Sequence, residues 1–187
     1  MLKLTTVILF LTCTLMLNAQ FEYDASPEFP YGRANPEAPE QMKDYADLIG
    51  ECKCKSTLRN QDGTWAEPVD MIWRFKYIMN GFGVQDETLK ADGAHSGSIR
   101  QYSTEDGNWR VHFYANKSSA PTLPTWEGKK TEGKMVLYRE QKAPNDMDGF
   151  YKLTFYDISE AGYKWIGEWV NKDESIVYPT WKIDCKR

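Results

Sequence analysis

The amino-acid sequence predicts an all-β protein: an antiparallel up-and-down barrel of about eight to ten strands, entered through a short N-terminal helix. Three observations predict it. Apolar and polar residues alternate with period two along most of the chain. Tight-turn dipeptides recur at short, regular intervals. The cysteines fall on faces that let the first and last strands meet. Strands of this pattern have one apolar and one wet face, and the chain leaves no room for the helical crossovers of a parallel sheet.

Residues 1–19 read as a cleaved secretory signal. Lys3 precedes an uncharged apolar run from Leu4 to Leu17, which ends at Asn18-Ala19. That run is short for a bilayer span and finishes on a small residue. Lipidation of Cys13 is disfavoured, since little apolar run precedes it and Thr12 is a poor neighbour. The expected location is therefore secreted or periplasmic, with no membrane partner. The 187-residue chain carries a formal charge of −4, and loss of Lys3 makes it one unit more negative. An acidic balance argues against nucleic acid as a partner. The remaining length suits one domain. Its 14% aromatic content leans towards β structure, because these rings favour half-buried pleated surfaces.

Residues 20–46 form a proline-rich arm and a short helix. Pro27, Pro30 and Pro36 fix an extended course for the arm, which is ordered only if it lies on the body. From Pro39 to Ala46 a helix is expected, with Met42, Tyr45 and Leu48 on one face. It is placed to plug a barrel end.

The barrel domain is assigned to residues 47–187, and its first strand to residues 47–58. Turns follow at Asp62-Gly63, Asn80-Gly81, Asp92-Gly93, Asp106-Gly107, Glu132-Gly133, Asp148-Gly149, Ala161-Gly162 and Lys172-Asp173. Asn-Gly and Asp-Gly supply the positive backbone angles that hairpins need. Between the turns, Val69, Met71, Trp73, Phe75, Tyr77 and Met79 share a face. So do Trp109, Val111 and Phe113; Tyr151, Leu153 and Phe155; Tyr163, Trp165, Gly167 and Trp169; and Val177, Pro179, Trp181, Ile183 and Cys185. An open meander this long leaves two exposed edges, and closure removes them.

Parity locates the seam. On the first strand Glu51, Lys53, Lys55 and Thr57 must face water, so Cys52 and Cys54 point inward with Ser56. Cys185 lies on the apolar face of the last strand. In a closed meander these strands are neighbours, with opposed side chains about 5 Å apart. A disulfide from Cys185 to either Cys52 or Cys54 is plausible there. Inert buried thiols and a three-thiolate metal site are the alternatives, and the Cys-x-Cys spacing supports the metal only weakly.

Leu48-Ile49-Gly50-Glu51, Trp73 through Asn80-Gly81-Phe82, Gln85-Asp86-Glu87, Ser98-Ile99-Arg100-Gln101-Tyr102 and Gly107-Asn108-Trp109 resemble the calycin superfamily, the lipocalins and their relatives. More narrowly they resemble a lipocalin-like family of exported bacterial proteins with no assigned function. The resemblance implies a barrel with an internal ligand site. It also exposes a departure. Lipocalins place a tryptophan two residues after the first-strand glycine, where this chain has Cys52. A covalent link from the first strand to Cys185 is a candidate replacement for that packing.

The expected ligand-binding residues are the inward aromatics Trp73, Phe75, Tyr77, Trp109, Phe113, Trp165, Trp169 and Trp181, joined by Tyr102, Asp86 and Arg100. Phe82 is also assigned inward. Rings of this kind either fill a barrel or line a pocket for a small apolar or aromatic molecule. Asp86 shares parity with Phe82 and Val84, and Arg100 with Ser98 and Tyr102. If both charges face in, they need one another or a polar ligand. His112 shares a face with Arg110, and His95 sits in a glycine-rich turn, so neither suits a ligand position. Asp86, Glu127 and Glu168 are the only carboxylates singled out for a barrel enzyme, and nothing in their spacing selects a pair. No cofactor or metal is expected.

Overall fold

The computed structural model describes residues 21–187, so the signal assignment of residues 1–19 lies outside the described residues. A 3₁₀ helix, Glu40–Leu48, leads into ten strands: β1 Gly50–Leu58, β2 Val69–Ile78, β3 Gly83–Lys90, β4 Ser96–Ser103, β5 Asn108–Ala115, β6 Thr125–Thr131, β7 Lys134–Glu140, β8 Gly149–Ser159, β9 Gly162–Asn171 and β10 Val177–Lys186. Every strand pairs antiparallel with its sequence neighbours, and β1 pairs with β10, closing the barrel without an edge.

The helix takes Asp47 and Leu48, which sequence had assigned to the first strand. Met42, Tyr45 and Leu48 recur every third residue, and positions three apart eclipse in a 3₁₀ helix. The three side chains therefore form one buried line. Tyr45 packs edge-on to Trp109 at 4.7 Å and stacks near Phe75 at 6.4 Å. The indole Nε1 of Trp109 donates to the Asp44 carboxylate at 3.0 Å. The helix thus plugs one barrel end. The arm does lie on the body: Tyr77 N–H donates to the Tyr31 carbonyl at 2.8 Å, and Tyr23 N–H to Asn80 Oδ1 at 2.9 Å.

Cys54 lies directly opposite Cys185 in the β1–β10 register, and the two form a disulfide. Cys52 is buried and free, opposite Trp73 on β2. Trp73 supplies the aromatic bulk beside it, touching Phe75 and Phe155 at ring separations of 5.4 Å.

Three local expectations fail, each for a backbone reason. Met79 and Phe82 were assigned inward but are 49% and 41% exposed, because β2 ends at Ile78 and the turn runs through positive φ at Met79, Asn80 and Gly81. Val177 and Pro179 do not share the face of Trp181: β10 pairs Pro179 with Glu168 but Trp181 with Gly167, so Thr180 is a bulge that inverts the parity before it. Asp148-Gly149 is no turn. Gly149 opens β8, and a Cβ there would lie 2.2 Å from the Val170 carbonyl oxygen and 2.6 Å from the Trp169 ring. Close approach, not a turn, requires that glycine.

Candidate functional site

The helix-plugged half of the barrel is packed with aromatic side chains. The other half encloses a cavity of about 310 Å³. Its inner wall is buried, with Trp73, Phe155 and Trp165 each 6% exposed or less. Towards the far end the walls become partly exposed at Phe113, Arg139, Gln141, Tyr151 and Trp181, and this end forms the mouth.

Six of the residues expected to contact a ligand line this space: Trp73, Asp86, Arg100, Phe113, Trp165 and Trp181. Phe75, Tyr77, Tyr102 and Trp109 belong instead to the plugged half. There the Tyr77 hydroxyl donates to the Met42 carbonyl at 3.3 Å, and Tyr102 packs on Trp109 at 5.6 Å. Trp169 is buried near the mouth but off the wall, its Nε1 donating to the Gln141 carbonyl at 2.9 Å.

Sequence reasoning missed Trp126, Leu137, Arg139, Gln141 and the polar strip Thr88, Ser96 and Ser98. Tyr151 was assigned inward without a binding role. A signal existed for Leu137 and Arg139, since Met135, Leu137 and Arg139 alternate on β7. Apolar Val136 and aromatic Tyr138 on the other parity masked it.

The cavity rings are pinned by hydrogen bonds. Trp126 Nε1 donates to the Tyr151 carbonyl at 3.0 Å, and Trp181 Nε1 to Ser56 Oγ at 2.9 Å. The hydroxyls of Tyr151 and Thr180 lie 2.8 Å apart. Such bonds hold indole and phenol rings in single orientations, so the pocket is pre-formed.

An ion pair forms part of its inner wall. Asp86 and Arg100, each 3% exposed at the side chain, bond directly to one another. Asp86 also accepts from Trp73 Nε1 at 2.6 Å. Burial works against the charge on Arg100, but the facing Asp86 carboxylate and Tyr45 together more than offset it and hold the guanidinium pKa above its ordinary value. The guanidinium carbon lies 4.9 Å from the Phe75 ring centre and 5.2 Å from that of Tyr45. Burial pushes the Tyr45 phenol up to about 12, with Arg100 opposing.

The carboxylates considered for acid–base work do not converge. Asp86 faces in and is held by Arg100 and Trp73. Glu127 lies on the wet face of β6, 3.3 Å from Arg110. Glu168 is on the outward parity of β9, where partial burial raises its pKa. His112 Nδ1 lies 2.9 Å from Thr125 Oγ1, and neither His112 nor His95 lines the cavity. Among the described residues, no group of three or more His, Cys, Asp or Glu side chains is placed to hold a metal ion.

Around the mouth several large apolar residues are exposed among charged loop residues. Leu58, Trp65, Leu123, Met147, Ile176 and Tyr178, all between 37% and 47% exposed, come from strand ends and loops on this side. Comparison with models of known protein families finds no match, and no curated protein matches the chain.

Proposed function

We propose that the protein is an exported binding barrel of the lipocalin-like kind its sequence resembles, holding a small, largely apolar, ring-bearing molecule without transforming it. The observation that carries this reading is the aromatic cavity, whose rings are held by hydrogen bonds. Its volume of about 310 Å³ lies at the low end of the roughly 300–1,000 Å³ typical of small-molecule sites, which suits one or two rings. The Asp86–Arg100 pair supports binding over catalysis, because each group is already engaged by the other.

Mass spectrometry of protein purified from its native source should find a co-eluting ring-bearing compound. In a thermal-shift screen a true ligand at about 100 times its Kd adds roughly 2.7 kcal/mol, a rise of about 5–10 °C for a domain of this size. Failure of every ring-bearing class to raise the melting temperature would sink the proposal.

A further inference from the structure

The cavity contains two arginines in opposite situations. Arg100 is neutralised by Asp86. Arg139, on β7 opposite Tyr151, reaches the cavity near its mouth and forms no ion pair with any described carboxylate within 4.0 Å. Its protein contacts leave most of its donors unused. One Nη donates to Gln141 Oε1 at 2.8 Å, and its Nε is buried with no acceptor, as is the Nε of Arg100; what sets Arg139 apart is the lack of a facing carboxylate. A guanidinium has five N–H donors in a rigid fork, and burying them unpaired is costly. Other arginines of the barrel are engaged: Arg74 by Glu51 and Glu87, Arg110 by Asp106 and Glu127, and Arg59 by the Gly63 and Pro179 carbonyls. Lys90, the other inward cation on this side, is met by Asp92 at 3.1 Å.

Arg139 is also held in place. Its guanidinium carbon sits 4.4 Å from the Trp126 ring centre, and that indole is fixed by the Tyr151 carbonyl. Stacking on an aromatic face leaves the in-plane donors free for an acceptor. Fixed geometry, a low-dielectric wall and unmet donors together describe a seat for a planar oxyanion, which a guanidinium fork binds bidentately.

We propose that the ligand is a ring-bearing carboxylate whose oxygens seat on Arg139 near the mouth, its apolar body directed inward towards Trp73, Phe155 and Trp165. This rests on the binding reading above and names the ligand's chemistry. Neutral rings of the same shape leave the Arg139 donors unmet and bind more weakly.

The test titrates the full mature protein with aryl carboxylates (benzoate, 2-naphthoate and indole-3-acetate), each paired with its primary amide, following tryptophan fluorescence and calorimetry. The wild type is expected to prefer carboxylate over amide by at least about tenfold in the best pair. Arg139→Gln should abolish that preference, and Arg139→Lys should keep part of it. A wild-type measurement needs no variant: the preference should vanish as the ligand carboxyl protonates below pH about 4. Equal affinity for carboxylate and amide overturns the anion seat and leaves the binding reading standing, as does a preference that survives Arg139→Gln. Absence of binding by every pair overturns both.

Discussion

The two ends of the barrel are built from the same alternating strands and do opposite things. At the helix end, Met42, Tyr45 and Leu48 close the opening, and the Cys54–Cys185 bridge ties the seam. At the far end the inward aromatics meet only in pairs along the wall, Trp165 with Trp181 at 5.1 Å and Trp126 with Phe113 and Tyr151 at 6.3 Å, so they enclose space, and six exposed apolar residues lie on the strand ends and loops around it. Both ends are rich in tryptophan and tyrosine. The difference is what stands between the rings: a helix at one end, none of the described residues at the other. Aromatic content therefore does not separate core from pocket; the plug does.

The largest expected effect is at the seam. Cys54→Ser removes a bridge spanning 131 residues, and loop-closure entropy predicts a loss of about 4–5 kcal/mol in denaturant unfolding. Cys52→Ser should cost less, about 1–3 kcal/mol for burying a hydroxyl, because Cys52 has no covalent partner to lose. If both serine variants lose equal stability, the seam pairing is wrong.

Next comes the ion pair that borders both halves. Asp86→Asn or Arg100→Met alone strands a buried charge and should cost about 3–5 kcal/mol. Asp86→Leu combined with Arg100→Met should cost much less, since neither charge is then left unpaired. A double variant as unstable as the sum of the singles would rule out mutual neutralisation.

Truncating matched rings then contrasts the ends directly. Phe75→Ala, at a fully buried site in the plugged half touching Tyr45 and Tyr163, should lose about 3–5 kcal/mol. Phe113→Ala, partly exposed at the mouth, should lose about 1 kcal/mol, because water can enter the vacated space. Equal losses would mean that the far half is packed as tightly as the plugged one.

A last effect appears only at high pH. The Tyr45 pKa is raised from 10.0 to about 12 in the folded protein. A raised folded-state pKa means that this stability is fully present below pH 10 and lost as pH climbs from 10 to 12. The loss is at most about 3 kcal/mol. Tyr45→Phe removes a hydroxyl with no well-formed hydrogen bond, so it should be near neutral at pH 7 and should flatten the alkaline decline. Equilibrium unfolding from pH 8 to 12 checks the difference between wild type and variant.

Much of the barrel was legible because period-two alternation is a local property. Trp73, Phe75 and Tyr77 face in for the same reason that Arg74 and Lys76 face out. Asp86 and Arg100 were placed as possible partners by parity alone. Legibility stopped wherever the backbone broke the period. The Met79–Gly81 turn carried Met79 and Phe82 outward, and the Thr180 bulge flipped Val177 and Pro179. Trp126 and Arg139 escaped because β6 has a single large apolar residue facing in and β7 is apolar on both parities.

By itself the sequence determined the strand count within a narrow range, the inward face of most strands, the helical plug and the meeting of first and last strands. All of these follow from residue spacing and from the cost of exposed edges. Only the tertiary structure decided which cysteine meets Cys185. Cys52 and Cys54 share a face, and a two-residue shift in register exchanges them without moving any side chain to the other side. It alone decided where the rings close on one another and where they leave a cavity, because that depends on the depth the helix reaches. The solitary charge of Arg139 likewise became visible only once ten strands had brought their inner faces together.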